Sequence, residues 1–314
     1  MRRQTLALIF LGLAVGTWAV LHFASPMKPE QAMAAGFAQL SHAKQISGVA
    51  SVALLLPAEK KGDIDNREPL ALRGVFQISI PDAGAVATNL NFATVGTDGQ
   101  AGMKANVRGF SDAATYFKLE SKSDATVGGL SLATLADFWW KLDKPVWELF
   151  SKPLLAKTKR DTKPDSAFTA DSWRRLRDLV FGGTMFVTDG AVLREYVGSI
   201  LAYRYNLGIT LESAVSFAKN LREAMSGQPL SAEEAVLVEH DALTHSFALI
   251  VWLDPKTGHV LQAKINLKDA GETGMSQTIL FENIDTETAV TVQVPAEAKD
   301  FAAIGKKPTK ATKP

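Results

Sequence analysis

The stretch LALRGVFQISI, residues 70–80, alternates apolar side chains with polar or small ones. Its apolar positions are Leu70, Leu72, Phe76, Ile78 and Ile80, and they are interleaved with Ala71, Arg73, Gln77 and Ser79. A period of two places the apolar side chains on one face and the polar side chains on the other, which predicts a β-strand.

The same alternation recurs in NLNF at 89–92, MKANVR at 103–108 and LAYRYNLGI at 201–209. The connections between the early segments are short, which favours an antiparallel meander over parallel crossovers. A wide sheet with one apolar face tends to curl and needs a cover. We therefore predict a mainly β (α+β) fold in which a curved antiparallel half-barrel of about ten strands is covered by several helices.

Spacing and turn residues predict the following elements. Helices are expected at 29–41, 131–138, 146–156, 172–181, 212–225 and 231–240. Strands are expected at 45–57, 70–81, 87–95, 101–110, 113–121, twice within 184–210, and at 246–253, 260–268, 277–284 and 288–294. The predicted organisation is an anchor or signal segment at 1–25, a linker and helix at 26–44, the main domain at 45–303, and a lysine-rich disordered tail at 304–314.

Composition excludes several classes of function. The formal charge is +1, so no overall field favours nucleic acid or an acidic substrate. The chain has no cysteine, which excludes disulfides, thiolate metal sites, a cysteine nucleophile and a lipid-modified N-terminal cysteine.

The N-terminal segment predicts membrane attachment. Arg2 and Arg3 precede an uncharged stretch at 5–24 that is long enough to cross a bilayer as a helix. The stretch exceeds the apolar region of a secretory signal, and the residues before Ser25 fit a cleavage site poorly. We expect a retained anchor with the domain on the extracytoplasmic side of the cell membrane. A cleaved signal, with a secreted or periplasmic domain, is the alternative.

The last third carries a resemblance to a known family. The segments FALIVWLDPKTGHVLQAKIN at 247–266 and SQTILFENIDTETAVTVQVP at 276–295 resemble the end of the LolA/LolB-like lipoprotein-carrier superfamily, in particular its LppX/LprG-type lipid-binding branch. GSILAYRYNLGI at 198–209 and WKLD at 140–143 lie where that branch has similar segments. The resemblance extends over about 40–300 and implies that 45–303 is a LolA/LppX-like lipid-binding domain.

This resemblance implies a curved antiparallel sheet closed by helices around a cavity for acyl chains. It implies a carrier in the cell envelope that needs no catalytic residue, and we expect no metal and no cofactor. Members of the branch are commonly anchored through an N-terminal cysteine, which this chain lacks, so a fixed helical tether favours local lipid handling over long-range shuttling. The alternative is an envelope sensor or scaffold that binds a protein partner with the same fold.

The candidate cavity wall consists of inward-facing apolar residues from the clearest strands. They are Leu72, Phe76, Ile78, Leu90, Phe92, Met103, Val107, Leu201, Tyr203, Tyr205, Leu207 and Phe281. A closed core packed against the helices is the alternative interpretation of the same residues.

Two short motifs match those of penicillin-recognising serine enzymes. Ser41-His42-Ala43-Lys44 fits S-x-x-K, and Lys256-Thr257-Gly258 fits K-T-G. A second S-x-x-K occurs at 216–219, no S-D-N accompanies them, and K-T-G falls in an expected turn. Chance matches of this length are common, so we interpret the chain as a binding protein and not an enzyme.

Other polar groups lack the spacing of a site. His240, Asp241 and His245 do not place both imidazoles on one helical face, and the acids at 63, 65 and 68 lack calcium-loop spacing. Trp139 and Trp140 fit a cavity mouth, a membrane surface or the core. Lysines 306, 307, 310 and 313 fit a solubilising tail or contact with anionic headgroups.

Overall fold

The computed structural model describes residues 26–55, 70–82, 85–95, 101–111, 114–120, 126–127, 130–144, 170–182, 185–226, 229, 231–269 and 276–304. The expected anchor at 5–24, the helix at 146–156, the acids at 63–68 and most of the lysine tail lie outside this part of the chain.

Five helices are described. They are α1 (Pro29–His42), α2 (Leu132–Leu135), α3 (Ala170–Phe181), α4 (Leu211–Ser226) and α5 (Ala232–Thr244). The strands are β1 (Gln45–Leu55), β2 (Leu70–Ser79), β3 (Ala87–Val95), β4 (Ala101–Phe110), β5 (Thr115–Glu120), β6 (Thr126–Val127), β7 (Leu130–Ser131), β8 (Trp139–Leu142), β9 (Phe186–Thr188), β10 (Leu193–Val197), β11 (Ile200–Ile209), β12 (His245–Leu253), β13 (Val260–Asp269), β14 (Ser276–Asp285) and β15 (Lys299–Asp300).

Thirteen of these strands form one open, curved sheet. Its order is β10-β11-β12-β13-β14-β1-β2-β3-β4-β5-β8-β15, and β9 also pairs with β11. The neighbours are antiparallel except β15 and β8, which are parallel, and β6 and β7 form a separate pair. The mainly β architecture is therefore confirmed, while the expected count of about ten strands is too low.

Two meanders are joined in the middle of the sheet. Strands β1 to β5 follow one another in space, as do β11 to β14, and β14 pairs antiparallel with β1. The registers join the apolar sides of the two meanders, because Ala50 of β1 lies opposite Phe281 of β14 and opposite Gly74 of β2. One apolar face thus extends over both meanders.

Irregular pairing and glycines accommodate the curvature. The register shifts between Ser47 and Val49 against β14. A side chain at the intervening Gly48 would approach the Phe76 ring to 3.0 Å. A side chain at Gly74 would overlap the Asn91 backbone carbonyl of the neighbouring strand. Bulges of this kind bend a sheet and increase its twist, and glycine permits the close approach.

The middle of the chain differs from expectation. The predicted helix at 131–138 shortens to the single turn α2, and Trp139–Leu142 forms strand β8. β8 pairs with β5, placing Trp140 opposite Phe117. A four-residue strand is too short to show an alternating pattern, so the sheet edge determines its conformation.

The predicted strand at 288–294 is wrong, because these residues form no strand. Both edges of the preceding β14 are occupied, by β13 and β1, so the chain has no neighbouring edge on which to continue the meander. The segment instead passes the end of β1, where Gln45 Nε2 donates to the Glu287 carbonyl at 2.8 Å. It then receives a hydrogen bond of 2.9 Å from Arg108 to the Gln293 carbonyl and reaches β8 as β15.

Candidate ligand-binding surface

The strand registers place the predicted wall residues on one face of the sheet. Phe76 lies opposite Leu90, which lies opposite Val107. In the other meander, Tyr205 lies opposite Val251. Successive side chains of a strand point to opposite faces, so these registers place all twelve predicted residues on the same side of the sheet. We call this side the apolar face.

Helix α1 seals the part of the apolar face formed by β11, β12 and β13. Ala32 and Phe37 of α1 are buried in one cluster with three of the predicted residues, Tyr203, Tyr205 and Leu207. The cluster also contains Leu249, Val251, Leu253 and Val260. These three side chains are thus buried between α1 and the sheet.

The two buried tyrosines also fix the start of the helix. The Tyr203 hydroxyl donates to the Met27 carbonyl at 2.9 Å, and the Tyr205 hydroxyl donates to the Pro29 carbonyl at 2.6 Å. Tyr205 is 2% exposed, and its burial raises the pKa of the phenol well above its usual value. Because the hydroxyl stays protonated, it remains a hydrogen-bond donor throughout the physiological range.

Glycines allow α1 to lie directly on the turn between β12 and β13. A side chain at Gly36 would come within 2.6 Å of the Gly258 carbonyl. Gly258 has a φ of +71°, and a side chain there would lie 2.7 Å from Ala35 Cβ. The backbones therefore meet closely, and the positive φ independently favours glycine at position 258.

The remainder of the apolar face is less completely covered. Among the predicted wall residues of β1–β4 and β14, Phe76 is buried and packs edge-to-face on Phe281, with ring centroids 5.4 Å apart. The others keep partial solvent exposure: Leu72, Ile78, Leu90, Phe92, Met103, Val107 and Phe281. We call this the open part of the apolar face.

An aromatic cluster bounds the open part at its far edge. Phe301, in the 3₁₀ turn after β15, packs against Phe117 at 5.3 Å and Trp140 at 6.2 Å between ring centroids. Trp140 is buried and its indole donates to the Leu135 carbonyl at 2.9 Å, which gives Trp140 a structural role. Trp139 lies on the opposite face, with the Arg108 guanidinium 4.6 Å from its ring.

Sequence reasoning missed several residues of the apolar face. Phe117 and Leu119 follow the same period of two as the predicted residues, so alternation could have identified them. Leu249 and Val251 lie in a continuous apolar run, FALIVWL, in which alternation does not distinguish the two faces. Phe301 carries no pattern, because the C-terminal segment brings it to the sheet only through tertiary contacts.

Two surface depressions include a predicted wall residue. A depression of about 480 Å³ includes Leu201, together with Pro26, Arg194, Ser199, Ile200, Asp254, Pro255 and Lys256. A polar depression of about 240 Å³ on the opposite face includes the Phe92 position among Arg73, Asn91, Lys104, Asn106, Lys118 and Glu120. The first depression lies at the hairpin of β10 and β11, where Leu201 is 38% exposed.

The serine-enzyme motif is not assembled as its chemistry requires. Ser41 Oγ donates to the Ala38 carbonyl at 3.0 Å, while Lys44 Nζ forms a 2.5 Å ion pair with Asp82. The Lys44 contact lowers the pKa of the Asp82 carboxyl. Gly258 of the K-T-G match lies in the β12–β13 turn against α1. Ser41 and Lys44 therefore bind different partners and do not form the serine–lysine contact that the enzyme motif requires.

The histidines at 240 and 245 do not belong to one helix. Position 240 lies in α5 and position 245 begins β12, so the two imidazoles come from different elements. Within the part of the chain that the structure describes, no group of three His, Asp or Glu residues is arranged to hold a metal ion. No helix of that same part is long and apolar enough to span a bilayer.

Comparisons with known proteins describe the fold. No protein-family model and no curated protein sequence matches the chain. LprF from Mycobacterium bovis is similar in structure, at 10% identity and a TM-score of 0.41, over 87% of this chain and 100% of that one. A LolA superfamily protein from Nitrosomonas europaea is similar at 6% identity and a TM-score of 0.24, over 83% and 94%.

MucB in its complex with MucA is a further similar structure, at 12% identity and a TM-score of 0.30, over 86% of this chain and 60% of that one. One of these similar structures bears the name of the superfamily that the last third of the sequence resembles.

Proposed function

We propose that this protein binds a lipid or another acyl-bearing ligand on the open part of the apolar face, and acts as a carrier in the cell envelope. One observation supports this most directly. The apolar face is continuous across the junction of β14 and β1, yet α1 seals it over β11–β13 while seven predicted wall residues remain partly exposed. A contiguous apolar surface of this kind is typical of a ligand or partner site.

The energetics suit an acyl chain. Each methylene that leaves water contributes about 0.8 kcal/mol. A chain of roughly 16 carbons therefore gains on the order of 10 kcal/mol before the costs of ordering it. Such binding needs apolar area and no catalytic group. The aromatic edge formed by Phe117, Trp140 and Phe301 would limit how far the chain extends across the sheet.

A moving cover would allow loading and release. Helix α3 contacts α1 through Phe181 and Phe37, whose ring centroids are 6.0 Å apart. Arg177 of α3 also donates to the Ala43 carbonyl at 2.7 Å, and Arg174 donates to the Asp82 carbonyl at 2.5 Å, so α3 lies across the end of α1. We place the gate between about 130 and 182, with α3 as its described part.

The proposed location is the extracytoplasmic side of the cell membrane, with residues 5–24 as the tether. The sequence supports it through the uncharged stretch that follows Arg2 and Arg3. A tethered carrier would receive and deliver its ligand at one membrane.

Native mass spectrometry of the purified full chain, with lipid extraction of the same sample, tests the function. We expect a bound acyl-bearing molecule in the native spectrum and its fatty acids in the extract. An empty protein that also fails to bind a fluorescent fatty acid would contradict the proposal. Stoichiometric recovery of one envelope protein from such an empty sample would support the sensor or scaffold alternative instead.

A further inference from the structure

We infer that the β10–β11 hairpin, beside the start of α1, is a membrane-contact surface that rests on the headgroup region of the bilayer. The surface consists of Arg194, Tyr196, Leu201, Pro26 and Lys256 and is called the hairpin surface below. The inference rests on the membrane tether in the proposed function and adds to it which side of the domain faces the lipid.

The hairpin surface exposes apolar side chains that nothing in the described part of the chain covers. Tyr196 lies opposite Leu201 in the register, so the two side chains share one face. Tyr196 is 70% exposed and Leu201 is 38% exposed. A tyrosine beside an aliphatic residue suits the membrane interface, because the ring has an apolar body and a polar tip.

Chain length places this surface at the membrane. Pro26 lines the depression that Leu201 shares, and the predicted bilayer-spanning stretch ends at residue 24. Two residues span at most about 7 Å even when fully extended. The segment after Pro26 is held firmly, because Met27 N donates to the Pro255 carbonyl at 2.6 Å and the Tyr203 hydroxyl donates to the Met27 carbonyl. The domain therefore cannot move this surface far from the lipid.

The charges around the hairpin surface fit a headgroup layer. Arg194 lies 5.5 Å from the centroid of the Tyr203 ring, and Lys256 follows Pro255 at the rim of the depression. Asp254 is the acid in the lining, and its carboxylate accepts a hydrogen bond from the Lys256 backbone at 2.8 Å. Glu195 points to the other face, where it contacts Arg204 at 3.4 Å and the Trp252 indole at 3.2 Å. The two cations outnumber the one acid of the lining, so the charge around the hairpin surface favours contact with lipid phosphate groups.

Site-directed fluorescence tests the inference, since the chain has no native cysteine. The full chain carrying Tyr196→Cys with an environment-sensitive label is reconstituted into phosphatidylcholine vesicles that contain nitroxide-bearing lipids. The matched control is Val75→Cys, which is exposed on the polar face of β2. We expect the label at 196 to be quenched about twofold more strongly than the label at 75, as for a group in the headgroup region. A second label, placed by Ser199→Cys in the hairpin turn, should be quenched as strongly as the label at 196.

Equal quenching of all three labels in vesicles that carry the protein would overturn the membrane-contact surface and leave the tether standing. Failure of the protein to float with the vesicles would overturn both. Protection of the label at 196 by a protein partner, without quenching by lipid, would show instead that the edge strand β10 pairs with protein. Ligand content, measured separately by native mass spectrometry, reports on the carrier function in every case.

Discussion

The Tyr205 hydroxyl donates its 2.6 Å hydrogen bond to the carbonyl of Pro29, 176 residues earlier in the chain. This contact joins the first turn of α1 to the middle of β11, and Tyr203 makes an equivalent contact with Met27. The sealed part of the apolar face is thus closed by polar bonds at its edge as well as by apolar packing. α1 is therefore an integral part of the domain.

Replacing this tyrosine should loosen the attachment of α1. We expect Tyr205→Phe to lower the free energy of unfolding by about 1 kcal/mol, because one net hydrogen bond is lost in a buried site. Urea unfolding measures the change. Tyr196→Phe is the matched control and should unfold like the wild type, since Tyr196 is largely exposed.

The contact between α1 and the β12–β13 turn makes a second prediction. Gly258→Ala combines a positive φ with a clash against Ala35, whereas Gly198→Ala has a φ of +60° with open space around it. The left-handed conformation alone costs roughly 1–2 kcal/mol for alanine. We expect thermal unfolding to show a larger loss for Gly258→Ala, and equal losses would mean that α1 does not press on this turn.

The proposed ligand surface leads to a third prediction. We expect Leu90→Glu to weaken binding of a fluorescent fatty acid at least about tenfold, which corresponds to 1.4 kcal/mol, because a carboxylate would lie against the acyl chain. Val75→Glu, on the polar face, is the control and should bind normally. Val107→Trp fills space on the same wall without adding charge and should shift the preference toward shorter chains. Unchanged binding in both wall variants would contradict the assigned surface.

The turn after β14 makes a prediction about pH. Hydrogen bonds from the Thr288 side chain and from the Glu287 and Thr288 amides lower the pKa of Asp285 to about 2. Because the folded-state pKa lies below the unfolded value of about 3.9, this carboxylate stabilises the fold above pH 4, and that stability is lost as the pH falls toward 2.

We therefore expect Asp285→Asn to flatten the pH dependence of unfolding between pH 4 and pH 2, measured by urea titration at each pH. Thr288→Val keeps the carboxylate but removes one of its donors, so NMR titration should find a higher pKa for Asp285 in that variant. If the pKa of Asp285 is the same in Thr288→Val as in the wild type, the Thr288 hydroxyl does not lower it.

The C-terminal segment makes the last prediction. We expect Phe301→Ala to release the residues after β14 and to accelerate limited proteolysis within 286–304, because Phe301 packs against Phe117 and Trp140. Phe186→Ala is the control: Phe186 packs on Phe37, with ring centroids 6.0 Å apart, and is not part of this cluster. Equal cleavage in the two variants would show that the aromatic cluster does not hold the segment.

The sequence predicted long strands far better than short ones. β2, β3 and β4 alternate over nine or ten residues, so a period of two is unambiguous there. β8 and β15, with four and two residues, form only because another edge is available to them. The valine-rich segment at 288–294 shows the converse, since it alternates well and yet finds both sides of β14 occupied.

The candidate site could be predicted only as a face. Alternation states which residues share a side of the sheet, and all twelve do. Whether that side is covered depends on where the helices lie. The position of α1 depends on close backbone contacts such as Gly36 with Gly258, which leave no periodic pattern in the sequence. Hence Tyr203, Tyr205 and Leu207 are closed core, while Leu72, Leu90 and Val107 stay partly accessible.

The pairing of β14 with β1 affects how the chain acquires its structure. Ala53 meets Thr278 across this junction, so the two meanders join only after ribosomal synthesis has passed nearly the entire domain. Packing of α1 is also delayed, because its partner strands β11–β13 are synthesised late. Contacts this distant along the sequence close slowly. Joining of the two meanders is therefore expected to be a late step in folding.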